Sequence, residues 1–318
     1  MAYSAGDTIL DDEYNAFVGN SSSPYGYNHF AGTGSGVYGL NQSSISTVSA
    51  GGTVQASQWN SLFTGLDNIA NHTNVSITAS SVSAGDTVAI RSALITDLAN
   101  LAAAVAGGST SATALAAAAS VGSSTNAGTW NSTSTIERSV TFANNATMRA
   151  FFNAGGFIRI DPSCVTGIAG SKDTVFNDLT VTATGNLDLK AHSTTRSGAG
   201  ETLTTNGLAN GFHDLGTGYT VLLKLTSDNS GYTSDTVEYS AKLNAAVSSA
   251  TVLTVKMVSS DPAADTTYTS PNTSGVPANP NEAPRMTLAL LASNPNNTQG
   301  LAAGITSSSN AQVSNSAS

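Results

Sequence analysis

Cysteine is all but missing from this chain: Cys164 is the single one. An internal disulfide framework and a cysteine-built zinc site are therefore excluded, and Cys164 reads as a small buried apolar residue. Charge is nearly as scarce. Only 10% of the 318 residues are Asp, Glu, Lys or Arg, about half the usual share. The 11 basic residues are scattered and the formal net charge is −9. Phosphate recognition needs clustered Lys and Arg, so nucleic acid is not an expected partner. Long apolar runs are absent too. Nothing approaches the 18 or more residues of a membrane span, and the Ala-rich stretch Leu98–Ala106 is too short and too weakly apolar, so no membrane partner is expected. The opening MAYSAGDTIL shows no basic segment followed by an apolar core, so no signal peptide is expected.

What replaces charge is Ser, Thr, Asn and Gly, with an apolar fraction that leans on Ala and Val. A surface dressed in hydroxyls and amides is common in extracellular β proteins and virion components. Without a secretion signal, such a chain leaves the cell by a specialised route or by lysis, inside a particle.

One short pattern is written three times. Ser4–Phe17 reads SAGDTILDDEYNAF, Ser49–Leu62 reads SAGGTVQASQWNSL, and SAGDTVAIRSALIT begins at Ser83. In the first copy Gly6-Asp7-Thr8 is a turn, and Thr8, Asp11 or Asp12 can cap a helix through Glu13–Val18, with Tyr14, Phe17 and Val18 on one face. In the second, Ser57 is the expected N-cap, and Trp59, Leu62, Phe63, Leu66 and Ile69 form the apolar stripe of a helix of about four turns. In the third, Ile90, Leu94, Leu98, Leu101 and Val105 form a stripe without an aromatic residue. Tyr14-Asn15 and Trp59-Asn60 fall at equal offsets from Ser-Ala-Gly. No copy can bury its face alone, so the three are expected to pack together or against other subunits.

The expected fold class is α+β, mainly β. Residues 1–106 make an amino-terminal module of three turn–helix repeats; 107–131, rich in Ser, Ala and Gly, make a linker with a short helix at Ala112–Ala119. A β-sandwich spans 132–292, and 293–318 form a flexible tail. The segment between the first two copies, with its Tyr-rich stretch Tyr25–Tyr38, reads as a loop. Strands are expected at Thr135–Phe142, Phe157–Ile160, Tyr219–Leu225, Thr236–Leu243, Thr251–Val258 and Arg285–Leu291. A short helix is expected in NNATMRAFFNAGG and a helical turn at Lys172–Leu179. The close spacing of the later strands points to an antiparallel sandwich rather than βαβ units.

Chemistry-bearing constellations are weak. His29, His72, His192 and His213 are dispersed along the chain, each expected in a structural role. GTGSG at Gly32–Gly36 lacks the Lys and helix of a phosphate loop. Asp11, Asp12 and Glu13 stand at a helix start, where carboxylates are stabilised by free amides and the helix dipole. No G-x-S-x-G elbow surrounds any serine. No catalytic residue, metal ligand or cofactor is nominated, and the chain is expected not to be an enzyme; a polysaccharide depolymerase would need a carboxylate pair that nothing here supplies.

In MRAFFNAGGFIRI, Phe151, Phe152 and Phe157 bracket Gly155-Gly156: two rings end a helix, the glycines reverse the chain and a strand leaves. The rings read as core of the β domain. FFNAGGFIRI closely resembles a segment in structural proteins of tailed bacteriophages, notably myovirus-like phages of cyanobacteria. The stretch from Gly211 to Asn244, VLTVKMVSSD and the leading GDTI…EYN and GGTV…QWN segments resemble parts of the same group, though related segments carry Gly-Tyr-Tyr where this chain has Gly211-Phe212-His213. The resemblance implies a virion protein of the tail, neck, baseplate or fibres, with a structural role for Asn153, Gly155 and Gly156 at the turn. It would form a homo-oligomer, a trimer or a ring, and meet other virion proteins. The alternative is a capsid-decorating or host-surface-binding protein that contacts glycans. The residues expected to carry assembly and packing are Tyr14, Asn15, Phe17, Trp59, Asn60, Leu62, Phe151, Phe152, Asn153, Gly155, Gly156 and Phe157.

Overall fold

The computed structural model describes residues 11–32, 39–83, 91–111, 114–126, 130, 132–165, 171–262, 284–295 and 309–317. The opening turns of the first and third repeats, residues 33–38 of the Tyr-rich stretch and the Pro-rich segment after residue 262 lie outside them. The fold is α+β, and the chain divides into two compact units. One gathers Met1–Ala117, Asn144–Gly156 and Asn294–Thr306; the other gathers Ala118–Ala143, Phe157–Ser293 and Ser307–Ser318.

The first unit is helical: α1 (Asp11–Val18), α2 (Tyr27–Ala31), α3 (Ala56–Thr73), α4 (Arg91–Ala106) and α5 (Asn145–Asn153). The acidic trio stands in the first turn of α1, while Tyr14, Phe17 and Val18 are buried. In α3 the whole expected stripe is buried. Its cap is Gln55 rather than Ser57: the Gln58 side chain accepts from the Gln55 N–H at 2.8 Å, so the helix opens at Ala56. A side chain reaching back from the third helical position satisfies a donor that Ser57, already inside the helix, cannot reach. The helix ends at Asn74, in the left-handed conformation at φ 59°, which asparagine tolerates at a C-terminus. Mid-helix Gly65 costs helical propensity but allows a close approach: a Cβ there would stand 2.7 Å from the Tyr27 ring. Leu94, Leu98, Leu101 and Val105 of α4 are buried as expected, and Ile90 lies outside the described residues.

The second unit holds the strands. Among the described residues these are β1 (Ala119–Thr125), β2 (Thr133–Thr141), β3 (Phe157–Val165), β4 (Leu187–Leu189), β5 (Thr194–Arg196), β6 (Thr202–Asn206), β7 (Thr220–Thr226), β8 (Thr236–Leu243), β9 (Val252–Ser260), β10 (Arg285–Ser293) and β11 (Ser309–Ala317). They form two antiparallel sheets, ordered β1-β10-β3-β4-β5 and β11-β2-β9-β8-β7-β6. Alternation sets the buried faces. Leu253, Val255 and Met257 of β9, Val237, Tyr239, Ala241 and Leu243 of β8, and Met286, Leu288, Leu290 and Ala292 of β10 are buried. The opposite faces keep ion pairs partly in water, Arg159–Asp188 at 2.6 Å and Lys224–Glu238 at 3.5 Å. Helix α6 (Ser171–Asn177) runs straight into a π-helical turn at Asp178–Thr184. Its Phe176 meets Trp130 edge-on at 5.0 Å, and the indole donates to the Pro284 carbonyl at 2.7 Å. Lys172 pairs with Asp261, and both side chains are buried.

Several boundaries differ from those expected. The 107–131 stretch is not a linker throughout, since Ala119–Thr125 pairs with β10. Residues 114–118 are not helical; Leu115 bridges to Pro295 instead. The interval between the first two repeats contains α2. The 293–318 tail contains β11, which pairs with β2. The segment Asn144–Gly156, expected inside the β domain, packs with the helices of the first unit. Cys164 is half-buried rather than buried, near Asp173 and Asn177. Burial pushes its thiol up to about 11, so it is held protonated at neutral pH.

Candidate functional site

The expected site residues of the first two repeats meet in the first unit. Trp59 lies edge-on to Tyr14 at 5.3 Å, is tilted against Phe17 at 6.0 Å and stacks on Phe63 at 5.6 Å. Leu62 of the same helix is fully buried. Such offset and edge contacts add to the area these rings bury. The Tyr14 hydroxyl donates to the Gln58 carbonyl at 3.3 Å, and burial raises its pKa. Burial pushes Tyr27 up to about 12. Both phenols stay neutral at any ordinary pH.

The asparagines beside these rings do one job in two places. Asn15 donates through Nδ2 to the Val48 carbonyl at 2.9 Å, and its Oδ1 accepts from the Val48 N–H at 2.8 Å. Asn60 brackets Val82 in the same way, at 2.9 and 2.8 Å. A side-chain amide carries the donor and acceptor of a peptide unit, so one asparagine can stand in for a β-neighbour and satisfy both groups of an extended residue. Val48 immediately precedes Ser49-Ala50-Gly51, and Val82 immediately precedes Ser83-Ala84-Gly85. Each asparagine thus holds the entry to the next copy of the repeated sequence. In the third copy the same offset falls on Leu94, a buried apolar residue.

A second pair of anchors, which sequence reading missed, sits three and four residues upstream. Asn28 of α2 brackets Ile45 with two bonds of 2.9 Å. Asp97 of α4 accepts from the Thr78 and Ala79 N–H groups at 3.0 and 2.9 Å, and from the Thr78 hydroxyl at 3.0 Å. Ile45 and Ala79 stand at the same offset before Ser49 and Ser83. The carboxylate has no donor, so it takes two amide N–H groups where Asn28 takes one N–H and one carbonyl. The sequence did carry a signal for Asn28: Tyr27-Asn28 is another aromatic–asparagine pair, hidden inside a Gly- and Ser-rich stretch. Asp97 had none beyond its place among apolar neighbours.

Helix α5 supplies a further aromatic–asparagine pair. Asn144 caps it, accepting from the Thr147 N–H at 2.8 Å. Phe151 and Phe152 are fully buried and meet edge-on at 5.0 Å. Asn153 donates to the Gly39 carbonyl at 3.0 Å. Beyond it, Gly155 takes φ +82°, where a Cβ would stand 2.6 Å from Thr110, and Gly156 lies against the Phe151 carbonyl and Pro295. The two phenylalanines are therefore core of the helical unit rather than of the β domain. Phe157 belongs to the other unit. It opens β3 in the second unit, half-buried, with the Arg159 guanidinium 5.5 Å from its ring centre.

No protein-family model, curated protein or solved structure matches this chain.

Three histidines add detail that spacing did not reveal. His72, buried at the end of α3, contacts the Ala154 carbonyl through Nε2 at 2.8 Å. A carbonyl only accepts, so Nε2 carries the proton; Nδ1 is buried without a partner, and burial lowers the pKa. His192 and His213, distant in sequence, stack at 4.8 Å in the second unit. Among the described residues no helix is long and apolar enough to cross a membrane.

Proposed function

We propose that the chain is a non-enzymatic structural component of a bacteriophage virion, of the tail, neck, baseplate or fibres, which forms a homo-oligomer and docks on other virion proteins. The observation that carries this reading is the pair of amide brackets, Asn15 on Val48 and Asn60 on Val82, at equal places in a repeated sequence. The side chains that recur are committed to fixing backbone and filling a core, and that suits a part whose task is to hold shape. The resemblance of FFNAGGFIRI to phage structural proteins supports the same reading, since its Asn153 is also used on a backbone carbonyl.

Two finer features belong to this proposal. The Ser-Ala-Gly sequence and the helix that follows it are one module used in series, the first and second helices each seating the start of the next module through the bracket. The two sheets are the layers of an antiparallel sandwich. Each has one buried face, and Arg138 of β2 donates to the Ser123 carbonyl at 2.7 Å and to the Ser124 hydroxyl, both on β1 of the other sheet.

Mass spectrometry of purified particles is the test. The chain is expected at a fixed copy number per virion, with immunogold labelling placing it on the tail or neck; absence from intact particles overturns the reading. Sedimentation of the purified chain should give a trimer or a ring, and a monomer at every concentration would remove the homo-oligomer.

A further inference from the structure

At the carboxy-terminal end of α3 an open cleft of about 470 Å³ lies within the first unit. Its polar lining includes Asp67, Asn71, Ser76 and Ser111, and Val75 and Ile77 contribute aliphatic surface. The volume is that of a small-molecule site. None of these residues takes part in the brackets that hold the repeats.

The lining is specific about chemistry. Asp67 and Asn71 are one helical turn apart, and Asn71 Nδ2 donates to Asp67 Oδ2 at 3.1 Å. That bond pairs the two side chains and leaves Asp67 Oδ1 and Asn71 Oδ1 free to accept. Ser111 is tied to the helix end by its own N–H, which donates to the His72 carbonyl at 2.7 Å. Its hydroxyl is buried and has no hydrogen-bond partner. Buried behind the lining, that hydroxyl is not offered to the contents of the cleft.

Charge narrows the class. The lining holds one carboxylate and no cation, and the helix end adds partial negative charge, so phosphates, sulfates and uronates are repelled. A hard divalent cation takes six to eight oxygens, commonly with several carboxylates, and one is too few. A neutral polyol meets these terms: its hydroxyls donate to Asp67 and Asn71, and its C–H face lies on Val75 and Ile77. We propose that this cleft binds an uncharged saccharide unit. The inference does not rest on the virion reading and stands or falls separately from it.

Saturation-transfer NMR on the full chain tests it, with glucose, galactose, mannose and N-acetylglucosamine offered one at a time. Glucuronate and calcium chloride are offered in parallel. At least one neutral sugar should give enhancements on its ring C–H protons. Asp67→Ala and Asn71→Ala, both exposed in the free protein, should each weaken that binding by about tenfold or more, the scale set by a lost hydrogen bond to a charged or amide group. Circular dichroism of both variants should match the parent. No enhancement from any neutral sugar overturns the proposal. So does binding that survives both substitutions, or glucuronate or calcium binding more tightly than every sugar tested.

Discussion

At the scale of single residues, the bracket separates two roles that sequence leaves mixed. Asn60→Asp keeps the acceptor for the Val82 N–H but replaces the donor with a second oxygen, which then faces a carbonyl across the present 2.9 Å. The expected loss is about 1–3 kcal/mol, that of a broken bond plus an unsatisfied partly buried acceptor. It should appear in urea unfolding followed by tryptophan emission, and an unchanged midpoint would mean the amide does no structural work. Trp59→Ala should cost about 3–5 kcal/mol, because the ring is the common partner of Tyr14, Phe17 and Phe63. Asp12→Ala should move stability by less than about 0.5 kcal/mol, since its one described bond is to the neighbouring Glu13 N–H on an exposed turn. The reverse order would make the acidic trio a site. His72 adds a pH dependence. Its pKa is lowered in the folded chain, so below its ordinary value near 6.5 the unfolded chain binds the proton first. Its contribution is intact above that pH and is lost progressively as the pH falls toward the folded value. Urea midpoints should therefore drop on acidification from neutral pH, and the drop should be smaller in His72→Gln.

At the scale of elements, α5 and its turn are the strictest test. Gly155 combines φ +82° with a Cβ position 2.6 Å from Thr110, so Gly155→Ala suffers both a left-handed backbone and a clash. A loss of about 2–4 kcal/mol is expected, read as a fall in thermal midpoint, and a loss below about 0.5 kcal/mol would show that the turn relaxes freely. Elements with strong periodicity were legible. Strand β8 falls on the expected Thr236–Leu243, and the stripe of α3 is buried as read, because alternation and 3.6-residue spacing follow directly from which face meets water. Elements without it were not. Strand β1, ASVGSST, is a Ser- and Gly-rich edge with mostly exposed side chains, so it writes no apolar pattern. Helix α2 has five residues, too few to show a period. The turn at Gly155-Gly156 was visible from its glycines, but its partner Thr110 lies far upstream and left no mark.

At the scale of the whole molecule, the contiguous domains expected from composition give way to interleaved ones. Composition reports what a segment is made of, and α5 is buried on every side, a pattern that says core without saying whose. The consequence is physical. Residues 1–131 contain four helices of the first unit but not the fifth, so a fragment ending there loses the Asn153 bond to Gly39 and the carbonyl that His72 holds. It also leaves the surface that Phe151 and Phe152 cover open to water. Burying two phenylalanines is worth about 3–6 kcal/mol, comparable to the whole stability of a small domain. The fragment 1–131 should therefore lack a cooperative thermal transition and bind a hydrophobic dye, whereas the full chain unfolds cooperatively. Adding a synthetic peptide of residues 144–156 in trans should restore part of the transition, because the missing contacts are local to that helix. A fragment that melts as sharply as the full chain, with no dye binding and no response to the peptide, would show that the helices before residue 131 are sufficient on their own and that α5 is a passenger in their core.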